Sequence, residues 1–348
     1  MSFLDGRLGN TPRYFISRPR GWSMRVPDEV LRCVTFVGPI STDVGGRTSM
    51  TLNATAFFVN RKSDDGKGWF SYLVTARHVA RKFEGHESYV RINRRDGEAR
   101  FVSVGDRWWY HPTDDSVDVA VVPWLPSIDE YDFQVFPESS FLTDKIIETE
   151  NIGVGDEVFI AGLFTELSGK QKNVPVTRVG NVAMMPGEPI VSKDWPPMLG
   201  YLIEARSIGG LSGSPAFVRS TVSWQLPDKS FVTGAGPYWL LGLVHGHWKV
   251  QPDDNIDAFM DENAAFGKIN MGIAIVTPAK DILAVINHPE LIDMRNQITQ
   301  KVKRKSQIAL DSAEPVVQKT KGDAIIPIPT KNQFLKDLEK ATRKRDKK

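Results

Sequence analysis

A serine set among glycines, a histidine closing an apolar strand and an aspartate opening another are the residues of this chain whose types and spacing could do chemistry. The serine lies in Gly209-Gly210-Leu211-Ser212-Gly213-Ser214-Pro215, followed by the apolar start Ala216-Phe217-Val218. Glycines on both sides let the backbone turn tightly, so that successive N–H groups can face one developing oxyanion while the hydroxyl projects outward. By itself the segment also fits a Gly/Ser surface turn. The histidine stands in Tyr72-Leu73-Val74-Thr75-Ala76-Arg77-His78-Val79-Ala80, a strand running into a short helix. Ending a rigid strand there fixes the imidazole, as a general base within hydrogen-bond reach of a serine requires. The aspartate comes in Asp115-Ser116-Val117-Asp118-Val119-Ala120-Val121-Val122, where it precedes an apolar strand and, once buried, could hold a histidine in one tautomer. Separately, His78 reads as a satisfied histidine and Asp118 as a turn residue. Their conjunction says more, because His, Asp and Ser follow in that order at separations of 40 and 94 residues. One β-unit would then supply the base and its orienter, and the next the nucleophile.

The elements that must position these groups are legible as short apolar runs between about residues 29 and 285: 30–37, 56–59, 70–74, 117–124, 158–164, 201–204 and 239–244. Runs of this length, rich in Val, Ile, Phe, Trp and Tyr and broken by Gly, Pro, Asp and Asn, predict strands of sandwiches or barrels. Two stretches read as helical, 76–83 and 278–286, the second with Pro278 suited to a first turn and Ile282, Leu283 and Ile286 sharing a face. The acidic, proline-bearing stretch 125–153 reads as a connector between two β-units. Stretch 184–198, with Pro186, Pro189, Pro196 and Pro197, reads as a long loop that would flank a cleft.

Composition narrows the class. Of 348 residues, 41% are hydrophobic and 25% charged, which suits a soluble globular chain able to bury its cores without disulfides or metals. The single cysteine, Cys33, excludes an intramolecular disulfide and favours a reducing compartment. Asp5, Gly6 and Arg7 stand where a secretory signal would need an apolar core, and no run approaches the roughly 18 apolar residues of a membrane span. A cytoplasmic protein is expected. The net charge of +2 hides an asymmetry, because residues 296–348 hold 14 basic and 6 acidic groups and the first 295 residues hold 30 and 36. Lysine-rich termini are usually solvated and no aromatic interleaving supports base stacking, so a basic, partly disordered tail is expected, with nucleic-acid or anionic membrane-surface binding as its alternative role.

With these residues in view, the chain resembles the chymotrypsin/trypsin-like serine peptidases, most nearly the bacterial trypsin-like and high-temperature-requirement protease branches. Thr75-Ala76-Arg77-His78 resembles the family's Thr-Ala-x-His, Asp118-Val119-Ala120-Val121 its Asp-x-Ala strand, and Gly210-Leu211-Ser212-Gly213-Ser214-Pro215 its Gly-x-Ser-Gly-Gly-Pro. Further matches are Ala56-Phe57-Phe58-Val59, Val154-Gly155-Asp156-Glu157-Val158, Gly242-Leu243-Val244 and Gly272-Ile273-Ala274-Ile275, so the resemblance covers about residues 29–287. It implies an all-β fold of two Greek-key β-barrels with a short C-terminal helix and a basic tail. The implied segments are an extension over 1–28, a first barrel over 29–135, a second with its closing helix over 136–295, and the tail over 296–348. The stretch after the peptidase is too short and polar for the peptide-binding PDZ module that the high-temperature-requirement branch typically carries.

The resemblance further implies a serine endopeptidase acting on protein or peptide substrates with no cofactor and no metal. Ser212 would attack the peptide carbonyl, His78 would accept and return the proton, Asp118 would orient His78, and the N–H groups of Gly210 and Ser212 would form the oxyanion hole. Two positions depart from the pattern: Leu211 stands where the family usually has Asp or Asn, and Ser214 replaces the second glycine after the nucleophile. The specificity pocket is implied around Arg206, His245, His247 and Gly272, where cationic groups would favour an acidic side chain before the scissile bond. Arg206 paired with Glu204 and pointing away is the alternative. His245-Gly246-His247 finds no third ligand in the sequence, so no metal site is expected. The resemblance assigns no oligomeric state. Two rival readings stand beside it: a catalytically silent trypsin-like scaffold acting in a protein or nucleic-acid complex through its tail, and an α/β-hydrolase using Ser212, Asp228 and His245. The second lacks the β-α alternation and the final glycine of a nucleophile elbow.

Overall fold

The computed structural model describes residues 26–42, 45–46, 48–51, 54–164, 167–193, 195–205, 211–219, 223–225, 231–233, 237–250, 269–311, 317–319 and 325–327. Residues 7–293 form one compact unit and residues 294–348 belong to a second. Both β-units lie in the first of these.

The chain enters through helix α1 (Asp28–Arg32) and strand β1 (Val34–Gly38). The run 30–37, read from sequence as one strand, is therefore divided. Pro27 precedes the helix in extended backbone and Asp28 and Glu29 occupy its first turn, which favours a helix start over a continuous strand. A hairpin of β2 (Ile40–Thr42) and β3 (Thr48–Met50) follows. Next come β4 (Ala54–Lys62), β5 (Trp69–Thr75), helix α2 (Arg77–Ala80), β6 (Ser88–Asn93), β7 (Ala99–Gly105), β8 (Trp109–Tyr110), β9 (Ala120–Pro123) and β10 (Phe136–Pro137). The first sheet has eight strands in the order β7-β6-β1-β4-β5-β9-β8, with β10 parallel to β4. Phe36, Phe57, Leu73, Val90 and Val121 are sealed inside it, each such side chain worth roughly 1.5–3 kcal/mol of burial.

The connector contains a helix that its acidic composition hides, α3 (Asp144–Glu150), capped where the Thr143 hydroxyl accepts the Ile146 N–H at 3.3 Å. Beyond it lie β11 (Glu157–Leu163), β12 (Pro175–Met184), β13 (Tyr201–Glu204), β14 (Pro215–Arg219), the hairpin of β15 (Ser223–Gln225) and β16 (Phe231–Thr233), β17 (Tyr238–Val250) and β18 (Ile269–Pro278). Six of these close into a barrel in the order β11-β12-β13-β18-β17-β14. Alternate residues point inward, and Val158, Ile160, Val182, Ile203, Ala216, Val218, Leu241 and Val276 make the core. Beyond Met184, the described residues of the proline-bearing stretch 184–198 form a loop, pinned by a bridge between Ile190 and Met198.

Helix α4 (Ala279–Ile286) follows β18 and buries Ala279, Ile282, Val285 and Ile286. Where the sequence predicts a partly disordered tail from residue 296, a second helix, α5 (Pro289–Asp311), continues to Asp311. Residues 290–311 contain neither glycine nor proline, and lysine, arginine, glutamine and alanine are good helix formers, so low hydrophobicity does not prevent the turn from propagating. No helix among the described residues is long and apolar enough to cross a membrane.

The two β-units are tied by polar groups. The Arg91 guanidinium gathers the carbonyls of Ser168, Gly169 and Lys170 at 3.1, 2.9 and 3.1 Å. Asn93 donates to the Asn173 carbonyl at 3.2 Å and accepts the Asn173 N–H at 2.7 Å. Thr55 of β4 accepts the Leu163 N–H of β11 on its hydroxyl at 3.1 Å.

Candidate active site

Strand register decides which side chains meet. β5 and β9 are antiparallel with Thr75 opposite Ala120, so the residues that follow β5 and those that precede β9 leave the sheet at the same end. His78 is the second residue of α2, three residues after Thr75, and Asp118 lies two residues before Ala120. The Asp118 carboxylate meets His78 twice. Oδ1 accepts the His78 backbone N–H at 2.8 Å and Oδ2 lies 2.8 Å from His78 Nδ1. A buried carboxylate acts as acceptor only, so His78 carries its proton on Nδ1 and presents Nε2 outward. The exposures agree: the Asp118 side chain is 8% exposed and that of His78 39%.

Burial by itself would push the Asp118 carboxyl up. The hydrogen bonds from His245 and His78, and the charge of both, outweigh it and hold the group well below the usual carboxylate range. Asp118 therefore stays ionised. A further clamp fixes the same two segments, because the nearly buried Arg77 guanidinium donates to the Asp115 carbonyl at 2.5 Å and to its carboxylate at 2.6 Å, and lies over the Tyr110 ring. Arg77 was only the variable residue of the Thr-Ala-x-His motif, and nothing in its spacing marked it.

Ser212 comes from the other β-unit, on the turn before β14. The Ser214 N–H closes that turn on the Leu211 carbonyl at 2.9 Å, and Gly213 and Ser214 pair with Val244 of β17 through two bonds of 2.8 Å. The turn also reaches the first sheet, where the Thr55 N–H donates to the Ser212 carbonyl at 3.1 Å. Gly213 has a φ of +80°, and a Cβ there would lie 2.2 Å from the Thr55 carbonyl oxygen, 2.5 Å from Thr75 Oγ1 and 3.2 Å from the Ala76 nitrogen. Only glycine fits, and its fit seats the serine turn on the strand ends that lead to His78.

The two departures from the family pattern share one physical accommodation. Leu211 and Ser214 are both buried, and a Cβ on Gly162 of β11 would stand 2.3 Å from Leu211 Cδ2 and 2.4 Å from Ser214 Oγ. The missing side chain of Gly162 is the space they occupy. Among the described residues the Ser212 amide has no hydrogen-bond partner, while the Ser212 hydroxyl donates to the His245 carbonyl at 3.2 Å.

His245 departs from the expectation that it lines a specificity pocket. Its Nδ1 lies 2.5 Å from Asp118 Oδ2, so its imidazole turns into the centre of the site, edge-on to His78 and to Trp195 at ring separations of 5.4 and 5.3 Å. The local cause is strand geometry: Val244 is bonded to the serine turn, and the register of β17 against β18 shifts between Val244 and Gly246, which sets His245 at an irregularity of the strand. His247 stands further along β17 opposite Ala274, and Gly272 of β18 adopts a φ of +76° with open space around it. Arg206 and Gly210 lie outside the described residues.

The His78, Asp118 and His245 ligand atoms all lie within 4.8 Å of one another, so the fold supplies the companions to His245 that its sequence neighbourhood lacks. Two ligands of a tetrahedral zinc ion, at bonds of about 2.0–2.1 Å, stand about 3.3 Å apart. Asp118 Oδ2 is 2.8 and 2.5 Å from its two neighbours, spacings that suit shared protons rather than a shared metal.

A closed six-stranded barrel beside a second barrel-like sheet, followed by a C-terminal helix, is the two-barrel trypsin-like fold. No protein-family model and no curated protein matches the chain. Among solved structures it is similar to the protease domain of MamO from Magnetospirillum magneticum in its apo form, at 15% identity and a TM-score of 0.41, covering 74% of this chain and 96% of that one. It is also similar to the active form of the Rv3671c protease from M. tuberculosis, at 15% identity and a TM-score of 0.37, covering 74% and 81%. A third is the HtrA-type protease AlgW with a decapeptide, at 16% identity and a TM-score of 0.40, covering 76% and 66%. Overlaps of this extent carry no part of the functional argument, which rests on the chain's own strand order and contacts.

Proposed function

We propose that the protein is a serine endopeptidase in which Ser212 is the nucleophile, His78 the general base and Asp118 the group that orients it. The observation that carries the proposal is the double hold of Asp118 on His78, through backbone N–H and Nδ1 at 2.8 Å each, with the glycine-bound Ser212 turn seated on the same strand ends. Fixing Nδ1 as the donor leaves Nε2 as the acceptor for the Ser212 proton. Attack on a peptide carbonyl would form an acyl-enzyme, with His78 returning the proton to the leaving amine before water releases the acid. The Ser212 N–H, unengaged among the described residues, would stabilise the oxyanion together with that of Gly210. The Ser212 hydroxyl rests on the His245 carbonyl, so the proposed reaction requires it to leave that acceptor for His78; catalytic hydrogen bonds commonly form or tighten only when substrate is bound.

The proposal includes protein or peptide substrates and a cytoplasmic setting, where a fold with one buried cysteine, Cys33, depends on no disulfide. The test is a fluorophosphonate probe applied to the wild type and to Ser212→Ala and His78→Ala variants, with the adduct located by peptide mass spectrometry. An adduct on Ser212 that is lost in both variants supports the reading. Folded wild-type protein that takes up no probe overturns it in favour of the catalytically silent scaffold.

A further inference from the structure

We infer that His245 is a positioning residue of this site, holding the Asp118 carboxylate with its side chain and the Ser212 hydroxyl with its backbone. The inference rests on the proposed hydrolase reading for its kinetic consequence, and on geometry alone for the contact itself.

Three observations lead to it. First, Asp118 Oδ2 is shared, with His78 Nδ1 at 2.8 Å and His245 Nδ1 at 2.5 Å. An ionised carboxylate oxygen accepts from two donors, so both imidazoles must be protonated on Nδ1 and the carboxylate is held from two sides. Second, the His245 side chain is 15% exposed against 39% for His78, and its ring packs edge-on to Trp195. It is the more buried of the two imidazoles that face Asp118. Third, its anchor is rigid. Gly213 and Ser214 each bond the backbone of Val244, the preceding residue, at 2.8 Å, so the position of His245 follows that of the serine turn. Asp118 belongs to the first sheet and Ser212 to the second barrel. His245 touches both, and so transmits the alignment of one to the other.

The chemistry assigns each substitution an outcome. Asn Nδ2 branches from Cγ as His Nδ1 does, so His245→Asn keeps a donor facing Asp118, whereas His245→Ala leaves that lone pair of a buried carboxylate unmet. Loss of a group that orients a metal-ligating histidine typically lowers activity about 10–100-fold, and the same scale is expected for a group that orients the partner of a catalytic base. We expect His245→Ala to lower the rate of fluorophosphonate labelling by roughly that factor, and in peptide hydrolysis to lower kcat more than it changes KM. His245→Asn should restore most of the loss. Two-bond ¹H–¹⁵N imidazole spectra give a readout that a merely structural role would not move. In the wild type both His78 and His245 should be Nδ1–H tautomers, and in His245→Ala the His78 Nδ1 proton should shift as it takes Asp118 Oδ2 alone.

A His245 found as the Nε2–H tautomer overturns the inference, because a bare Nδ1 cannot donate to a carboxylate. So does His245→Ala protein labelled at the wild-type rate. If the wild type takes up no probe, the hydrolase reading falls, and the tautomer and the His78 shift decide the role of His245 by themselves.

Discussion

Replacing Gly213 by alanine tests the seam between the two β-units at its tightest point. The added Cβ would begin 2.2 Å from the Thr55 carbonyl oxygen and 2.5 Å from Thr75 Oγ1. Neither neighbour can swing away, because Thr55 and Thr75 lie in paired strands and are bonded to each other, Thr75 Oγ1 to the Thr55 carbonyl at 2.8 Å. Restoring ordinary contact requires the turn to retreat by about 1 Å, and the φ of +80° adds left-handed strain of about 1–2 kcal/mol to an overpacking cost of about 1–3 kcal/mol. We expect a destabilisation of about 2–5 kcal/mol, together with a loss in labelling rate of about 100-fold, the usual consequence of misplacing a reacting group by 1 Å. Gly155→Ala is the control. Its φ is +95° but its Cβ would meet nothing within 4 Å, so it isolates the strain at about 1–2 kcal/mol and leaves labelling unchanged. Urea unfolding and the time course of fluorophosphonate labelling read the two effects separately. A Gly213→Ala protein no less stable than Gly155→Ala, and labelled at the wild-type rate, refutes the packing argument. Lower stability with normal labelling would show that the seat of the turn does not govern the nucleophile.

Three further perturbations separate stability from chemistry. Because the folded Asp118 carboxyl lies below its unfolded value, its stabilisation is present above about pH 4 and is lost as pH falls through the lower folded value; Asp118→Asn should flatten that part of the acid dependence of urea unfolding, and a profile unchanged from wild type counts against the buried pairing. Arg77→Ala removes both bonds to Asp115 and should cost about 1–2 kcal/mol, with a loss in labelling rate that Arg77→Lys only partly recovers, since one ammonium cannot span the carbonyl and carboxylate as the fork does. Thr55→Val leaves the buried Leu163 N–H without the hydroxyl it donates to and should cost about 1–3 kcal/mol by thermal or chemical unfolding. Its backbone bond to Ser212 is untouched, so labelling should persist in the folded protein.

The parts of the site that sequence exposes are those set by local pattern. An apolar strand ending in Thr75-Ala76-Arg77-His78 and another beginning after Asp118 are each visible in a window of eight or nine residues, and antiparallel pairing of Thr75 with Ala120 then needs no further information to bring their ends together. The glycines at 209, 210 and 213 likewise announce a tight turn, although only the third falls in the described residues, where its positive φ and crowded cradle show why a glycine is required. Helix α5 leaves one trace in the sequence, the absence of glycine and proline over 290–311, and the falling hydrophobicity of the same stretch hides it. Patterning reports which face is buried, and a helix with few buried residues leaves little trace there.

His245 is of another kind. In a strand its alternation with His247 is compatible with a pocket wall, a ligand pair or a solvated edge, and no local signal separates these, because its partner Asp118 is 127 residues away in the other β-unit. The space that Gly162 leaves for Leu211 and Ser214 is equally non-local. The first depends on how the two β-units meet and the second on how β11 packs against the serine turn within the barrel, and both bear on the turn that carries Ser212. If the proposed reaction is correct, the residues that name the chemistry are local, whereas those that set its geometry are the products of docking. Variants at Gly213 and His245 should therefore act through the spacing between the sheets, variants at Gly162 through the packing of the serine turn inside its own barrel, and variants at Ser212 through the reaction.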